Sequence, residues 1–256
     1  MALKEGRFMG KDKYEIIQDR NNLVVKSNEL IRNTRYSLTE KEQKIVIYLM
    51  SLIARDDDSL NEIKLSISEF CHIVGINNSG NNYIKVKNAI QGIADKSWWI
   101  NTDKKDILFR WIDTAIIEKN SGIITVKLSQ SLKPYLIQLK EDFTKYELIN
   151  VLMLRGKYTI RLYELLKSYL WLGEWTIELD KLKEIIQCFK YEEYKEFNRN
   201  VISYAIKEIN DCTDLQISYE TKRKGRRVEK IKFKINEKSG IQLTFDLIDK
   251  ITERLG

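Results

Sequence analysis

Residues 192–210 read EEYKEFNRNVISYAIKEIN, and residues 215–235 read LQISYETKRKGRRVEKIKFKI. In the first stretch the apolar residues recur at helical spacing, at Phe197, Val201, Ala205 and Ile209. This periodicity predicts one long amphipathic helix. In the second stretch, apolar residues alternate with polar ones on both sides of a single glycine, which predicts a β-hairpin. Its basic tip alone is weak evidence of function, because hairpin tips are solvated and lysines protect sheet edges from pairing.

The composition favours a globular protein made of helices and a few hairpins. Of the 256 residues, 43% are hydrophobic, enough for two modest cores, while 1 proline and 11 glycines are too few for an all-β fold. The net charge is +7. A small excess of this kind indicates nucleic-acid binding only where the cations cluster.

Missing motifs argue against most enzyme classes. His72 is the only histidine, and it lies in a helical pattern that favours a structural role. The sequence has no nucleophile elbow, no phosphate loop and no closely spaced set of zinc ligands. The acidic run at 56–58 is predicted to be a solvated loop. We therefore expect a binding protein that is not an enzyme and has no cofactor and no metal.

Other features predict a cytoplasmic protein that does not enter membranes. The 3 cysteines are far apart and form no CxxC pair, which is typical of a reducing compartment. The N-terminal residues lack the apolar core of a signal peptide. The longest apolar run, at 45–54, is too short to span a bilayer.

The chain contains an internal repeat. The first copy predicts a helix (38–54) whose Thr39 and Glu42 form a capping box, a strand (63–67), a helix opened by Ser68, a helix (83–96) and strands (107–117, 122–128). The second copy predicts a helix (156–172), a strand (175–179), a helix capped by Asp180, and the two stretches quoted above. Matched residues, such as Tyr48 with Tyr163, keep a nearly constant separation.

The order helix, strand, helix, helix, hairpin is that of a winged helix, in which the third helix enters the DNA major groove and the hairpin flanks it. The sequence therefore predicts an α+β fold of two tandem winged-helix domains. We expect a first domain at 23–134 and a second at 135–240. An N-terminal extension (1–22) and a C-terminal amphipathic helix (241–256) would flank them.

The long helix of the second domain carries the predicted base contacts, with Arg199 suited to guanine and Asn200 to adenine. The full set is Lys195, Asn198, Arg199, Asn200 and Ser203. Asn198 ranks lower, since the helical wheel turns it toward the buried side, where it would cap or bridge. The predicted phosphate contacts are Arg155, Lys157, Arg161, Lys207, Lys222, Arg223, Lys224, Arg226 and Arg227. An ordinary solvated cation is the alternative at each position.

The first domain is less basic. Its matching helix offers Lys85, Lys87 and Asn88 as DNA candidates, but its hairpin turn, Lys-Asn-Ser-Gly at 119–122, is nearly neutral. The hairpin is rich in large apolar residues, of which alternation can bury about half in one core. We expect both Trp98 and Trp99 in the core. The remaining apolar edge predicts that this domain assembles with a protein partner, while the second domain provides most of the DNA affinity.

Three stretches resemble one known family: SNELIRNTRYSLTEKEQKIVIYLMSLI (27–53), FTKYELINVLMLRGKYTIRLYELLKSY (143–169) and FNRNVISYAIKEIN (197–210). They are similar to the replication initiator (Rep) proteins of theta-replicating, iteron-type plasmids. The resemblance implies two fused winged helices that bind repeated origin sequences in double-stranded DNA and help to melt the origin. It also implies contacts with the host initiator and the replicative helicase, and a monomer–dimer switch in which dimers repress the protein's own promoter.

Other functions remain open from the sequence. A winged-helix transcriptional repressor with no role in initiation would use the same domains on operator DNA. A rolling-circle nickase would need a paired-histidine metal motif, which a single histidine cannot supply. A DNA polymerase would need paired metal-binding aspartates, and none stands out.

Overall fold

The structure is a computed structural model that describes residues 22–53, 57–75, 82–101, 104–119 and 121–238. Nearly all of the predicted N-terminal extension and the whole predicted C-terminal helix lie outside these residues. Asp56 of the acidic run and Asn120 of the first hairpin turn also lie outside them.

The N-terminal half contains six strands and four longer helical segments among the described residues. In chain order they are β1 (Leu23–Ser27), α1 (Asn28–Asn33), α2 (Glu40–Ser51), β2 (Ile63–Ser66), α3 (Ile67–Val74), α4 (Asn82–Ala94), β3 (Ser97–Asn101), β4 (Asp106–Arg110), β5 (Ile112–Ile117) and β6 (Ile123–Leu128). A 3₁₀ turn and the short helix α5 (Lys133–Leu136) follow.

The C-terminal half begins with β7 (Phe143–Glu147), which pairs antiparallel with β1. It continues with α6 (Leu148–Leu152), α7 (Lys157–Ser168), β8 (Glu174–Glu178), α8 (Leu179–Ile185), α9 (Tyr194–Phe197), a π-helical turn (Asn198–Ile202), α10 (Ser203–Cys212), β9 (Leu215–Lys224) and β10 (Arg227–Glu237). We call residues 194–212, which span α9, the π turn and α10, the long helix.

The two halves repeat one topology, which confirms the internal repeat and the tandem winged-helix fold. In each half, the strand that follows α2 or α7 pairs with the last strand, which pairs with the strand before it. The resulting three-stranded sheets have the orders β2-β6-β5 and β8-β10-β9, and all their pairings are antiparallel. The matched Tyr48 and Tyr163 are both fully buried. The division predicted between residues 134 and 135 stays a prediction.

Local signals at helix starts were partly right. Thr39 and Glu42 form the predicted capping box of α2. The start of α3 is capped by Ser66, whose side chain accepts from the amide of Glu69, and not by Ser68. Asp180 lies in the first turn of α8, after an N-cap position held by Glu178. Both helices begin directly where the preceding strand ends, so each starts earlier than its polar residues suggested.

The strand predicted over residues 107–117 is two strands. Trp111 interrupts it, because its indole turns into the core and stacks on Trp98 with 3.8 Å between ring centroids. The part before Trp111 forms β4, which pairs with β3. The expectation that both adjacent tryptophans are buried holds for Trp98 only, since Trp99 is 49% exposed on the other face of β3.

Every helix among the described residues is too short or too polar to cross a lipid bilayer. Those residues also contain no group of three or more histidine, cysteine or carboxylate side chains that could hold a metal ion.

Candidate nucleic-acid interface

The long helix buries one face and exposes the other, as its periodicity predicted. Phe197, Val201, Ala205 and Ile209 are buried, and the core also takes in Ile202 and Ile206. The opposite face exposes four of the five predicted base contacts, Lys195, Arg199, Asn200 and Ser203, together with Lys207. These side chains can therefore reach the edges of bases in a groove.

Asn198 is half-buried on the side of the long helix that faces β9, as the helical wheel indicated. Its Oδ1 accepts from the hydroxyl of Tyr194 at 3.0 Å and from the hydroxyl of Tyr219 at 2.8 Å. This arrangement makes Asn198 a bridge between the helix and the hairpin. On the exposed side, Asn200 donates from Nδ2 to the main-chain carbonyl of Glu196 at 2.9 Å.

The hairpin of β9 and β10 forms the second wing. Ile231, Phe233 and Ile235 point into the core and are at most 1% exposed. The strands are joined at Lys224 and Arg227 by a tight turn in which Gly225 has a φ of 61°, a left-handed conformation that glycine adopts without strain. The predicted hairpin and its buried alternation are confirmed.

Positive charge concentrates at the tip of this wing. The five tip cations are all exposed: Lys222, Arg223, Lys224, Arg226 and Arg227. Nearer the base of the hairpin, the lysines of β10 face glutamates of β8. Lys232 lies 2.6 Å from Glu174, and Lys230 lies 3.7 Å from Glu178. These pairs offset part of the positive charge at the base of the sheet. At the tip Lys224 lies 3.9 Å from Glu229, and the cluster of exposed cations around it suits phosphate contact.

The other phosphate candidates lie at the start of α7. Arg155 is exposed just before the helix, and its main-chain amide donates to Glu208 of the long helix at 2.9 Å. Lys157 is half-buried, with its ammonium 4.9 Å from the centre of the Tyr158 ring. Arg155 therefore borders the long helix from the side of α7.

Arg161 must be removed from the phosphate contacts, because its side chain is only 2% exposed. Its guanidinium donates to the main-chain carbonyls of Ile31 and Thr34 and lies over the ring of Tyr36. The helical wheel of α7 could not indicate this burial, since the residues that cover Arg161 come from α1 and the segment after it, more than a hundred positions earlier.

In the first domain, Lys85, Lys87 and Asn88 all lie on the exposed face of α4. The first wing, formed by β5 and β6, turns through Gly122, whose φ is 69°. Lys119 is the one cation that the described part of this turn supplies. The first domain thus repeats the geometry of the second with much less charge.

Sequence reasoning missed Tyr194 and Tyr219. Both side chains are half-buried and direct their hydroxyls to Asn198. A signal for Tyr219 existed in the sequence. The alternation Leu215, Ile217, Tyr219 continues the buried face of β9 toward the wing tip and replaces an aliphatic residue by an aromatic one with a polar end.

Comparison with known proteins bears on the family and the fold of the chain. Two family models together match most of the chain. The model described as "Initiator Replication protein, WH1" matches residues 23–167, and the one described as "Initiator Rep protein, WH2" matches residues 178–235. A replication initiation protein of Escherichia coli is 25% identical over 237 residues, which cover 88% of this chain and 73% of that protein. The PI protein of Escherichia coli is 27% identical over 146 residues, which cover 48% of each chain.

The fold is also similar to a solved structure, that of the Pi initiator protein in complex with iteron DNA. The TM-score is 0.71 and the identity 18%, and the match covers 86% of this chain and 99% of that one. This likeness supports the tandem winged-helix fold.

Proposed function

The chain belongs to the family of initiator replication proteins, and on that premise we propose that it binds the repeated sequences of a plasmid origin and initiates replication there. The observation that carries this proposal is the pairing of an exposed polar helix with a cationic wing in the second domain. A related initiator has been crystallised with iteron DNA, which supports double-stranded repeats as the ligand.

In the proposed complex, the long helix lies in the major groove with Arg199 and Asn200 facing the bases. An arginine matches the two acceptors of guanine, and an asparagine matches the donor and acceptor of adenine. The wing tip lies along the neighbouring backbone, where its five exposed cations neutralise phosphates. Arg155, Lys157 and Lys207 add phosphate contacts at the edges of the helix.

The first domain has the surface of a protein interface. On the exposed face of its β3–β4 hairpin, Trp99 lies directly opposite Leu108, and these side chains are 49% and 51% exposed. Ile116 on the edge strand β5 is 53% exposed. We assign these exposed apolar residues to self-association, which is the monomer–dimer switch that the family resemblance implies. Lys85, Lys87 and Asn88 give the same domain a weaker DNA contact.

Opening of the origin and recruitment of the host initiator and replicative helicase are the later steps of the proposed function. Their support is membership of the family. The proposal needs no catalytic residue, because binding energy and recruited enzymes perform each step. A plasmid origin lies in the cytoplasm, so the proposed function implies the predicted cytoplasmic location.

The experiment that tests this function is a hydroxyl-radical footprint of the purified protein on the replicon that carries its gene. We expect protection of tandem direct repeats beside an AT-rich tract. Protection of a lone inverted repeat in a promoter, with none at tandem repeats, would identify a transcriptional repressor instead.

A further inference from the structure

The long helix contains one π turn, in which the amide of Ser203 donates to the carbonyl of Asn198, five residues earlier. In a regular α-helix, side chains five residues apart point about 140° away from each other. A π turn brings them to the same side of the helix. Asn198 and Ser203 therefore share one face, and this face meets Tyr219 of β9. Single π turns are rare and often mark functional sites.

Three side chains close a ring of hydrogen bonds at this point. The hydroxyl of Tyr219 donates to Oδ1 of Asn198 at 2.8 Å, and Nδ2 of Asn198 donates to Oγ of Ser203 at 3.2 Å. Oγ of Ser203 lies 3.0 Å from the Tyr219 oxygen. Because the Tyr219 proton is already directed to Asn198, the Ser203 hydroxyl donates to Tyr219. We call these residues the Asn198–Ser203–Tyr219 ring.

The ring changes the roles of two predicted base contacts. Oδ1 of Asn198 accepts from Tyr219 and also from Tyr194, and the Ser203 hydroxyl both accepts and donates within the ring. A contact that uses Oδ1 of Asn198, or one in which the Ser203 hydroxyl donates to a base, would compete with these bonds. Lys195, Arg199 and Asn200 take no part in the ring, and they are the predicted base contacts left to read bases.

The ring also joins the two parts of the proposed DNA interface, the long helix and the second wing. Tyr219 lies on β9, the strand that leads to the wing tip at Lys224, while Asn198 and Ser203 belong to the long helix. The Tyr219 ring packs against Phe233, with 6.1 Å between centroids, and Phe233 is fully buried. The hydroxyl is thus held by the core of the wing.

We infer that Tyr219 is a positioning residue for base recognition, which holds the wing at a fixed angle to the long helix. This inference rests on the proposed binding of double-stranded DNA. Phosphate contacts set the register of a protein on DNA, and base contacts specify the sequence. Without the ring, the wing tip cannot contact its phosphates while Arg199 contacts its base. Binding to the specific sequence then weakens, whereas charge-driven binding to any sequence remains.

The test is the variant Tyr219→Phe, which keeps the packing on Phe233 and removes one hydroxyl. Affinity is measured at one salt concentration for a footprinted repeat and for a scrambled duplex of the same length and composition. We expect the ratio of the two affinities to fall about threefold to tenfold, the value of one or two hydrogen bonds. The scrambled-duplex affinity and its salt dependence should match wild type. An unchanged ratio, or equal loss of affinity on both duplexes, overturns the inference.

Two further variants separate positioning from other effects. Tyr135→Phe removes a tyrosine hydroxyl from α5, outside the ring and the wing, and should leave the ratio unchanged. Ser203→Ala breaks the same ring from the exposed side of the helix, so the double variant with Tyr219→Phe should lose no more specificity than either single variant. Additive losses of specificity would mean that Ser203 reads a base itself, and the inference would be wrong. Failure of the proposed function looks different, since wild type would then bind both duplexes equally.

Discussion

The ammonium of Lys26 in β1 and the carboxylate of Glu164 in α7 form a buried ion pair between residues 138 positions apart, with side chains 3% and 0% exposed. Arg161 lies 3.9 Å from the same carboxylate, and the hydroxyl of Tyr36 donates to it at 3.3 Å. The cluster joins the strand before the first copy of the repeat to the first helix of the second copy. It thereby fixes one winged helix against the other.

We predict that Glu164→Gln strongly destabilises the protein. The substitution keeps the shape of the side chain but leaves Lys26 and Arg161 as buried cations without a counter-ion. Breaking a buried pair in this way costs about 3–5 kcal/mol of unfolding free energy. Urea denaturation measures the decrease. Glu178→Gln, which alters an exposed pair with Lys230, is the control and should change stability little. Similar small effects from both variants would contradict the structural role of the cluster.

The same cluster predicts a dependence of stability on pH. Burial opposes ionisation of Glu164, but the charges of Lys26 and Arg161 outweigh it and hold the pKa of the carboxyl below its ordinary value of 4.5. Its contribution to stability is therefore complete above pH 4.5 and is lost as the pH falls through the lower folded pKa. The stability difference between wild type and Glu164→Gln should shrink over that acid range. A difference that stays constant down to about pH 3 would show that Glu164 does not provide it.

At Gly92, an alanine should lose its usual stabilising effect in a helix. A Cβ at this position of α4 would lie 2.6 Å from Oε1 of Glu42, whose other oxygen accepts from the amide of Thr39 at 2.7 Å in the capping box of α2. Displacing Glu42 from the cap should cost about 1 kcal/mol and offset the similar gain of alanine over glycine in a helix, so Gly92→Ala should leave the unfolding free energy nearly unchanged. In a Glu42→Ala background the clash is absent, and the same change should stabilise the helix. Thermal unfolding of the four proteins measures both effects, and stabilisation by Gly92→Ala alone would contradict the account.

The sequence predicted those elements whose apolar residues lie close together in the chain and face a single core. The long helix was found because Phe197, Val201, Ala205 and Ile209 recur at helical spacing against a single face. The second wing was found because Ile231, Phe233 and Ile235 alternate with lysines. In both cases the residues that decide the element are neighbours in the sequence.

The features that were missed depend on contacts between distant residues. Arg161 looked like a surface cation of α7, yet it is buried and bound to the carbonyls of Ile31 and Thr34. The break at Trp111 arises from stacking on Trp98, which apolar alternation cannot reveal. The π turn is likewise invisible to a wheel of constant pitch, so the pairing of Asn198 with Ser203 could not be predicted.

For recognition itself, Arg199→Ala should lower affinity by about 1–3 kcal/mol on the repeat and abolish the preference at one base pair. The expectation follows from the exposed position of Arg199 on the face opposite Phe197. A panel of duplexes, each changed at one position, measures the preference. Lys207→Ala is the comparison and should weaken binding to every duplex alike. A uniform decrease with Arg199→Ala would make that residue a phosphate contact.

The most direct test of the DNA-docking second domain is the slope of log K against log salt. It is measured for wild type and for a variant with glutamine at the five wing-tip positions. We predict that the slope flattens by roughly one unit for each phosphate that the wing no longer neutralises, with weaker binding to specific and scrambled duplexes alike. The matched control places glutamine at five exposed lysines outside the wing and the long helix, namely Lys133, Lys140, Lys145, Lys181 and Lys190, and should keep the wild-type slope. A wing-tip variant with the wild-type slope would show that the wing does not touch DNA and would contradict the account.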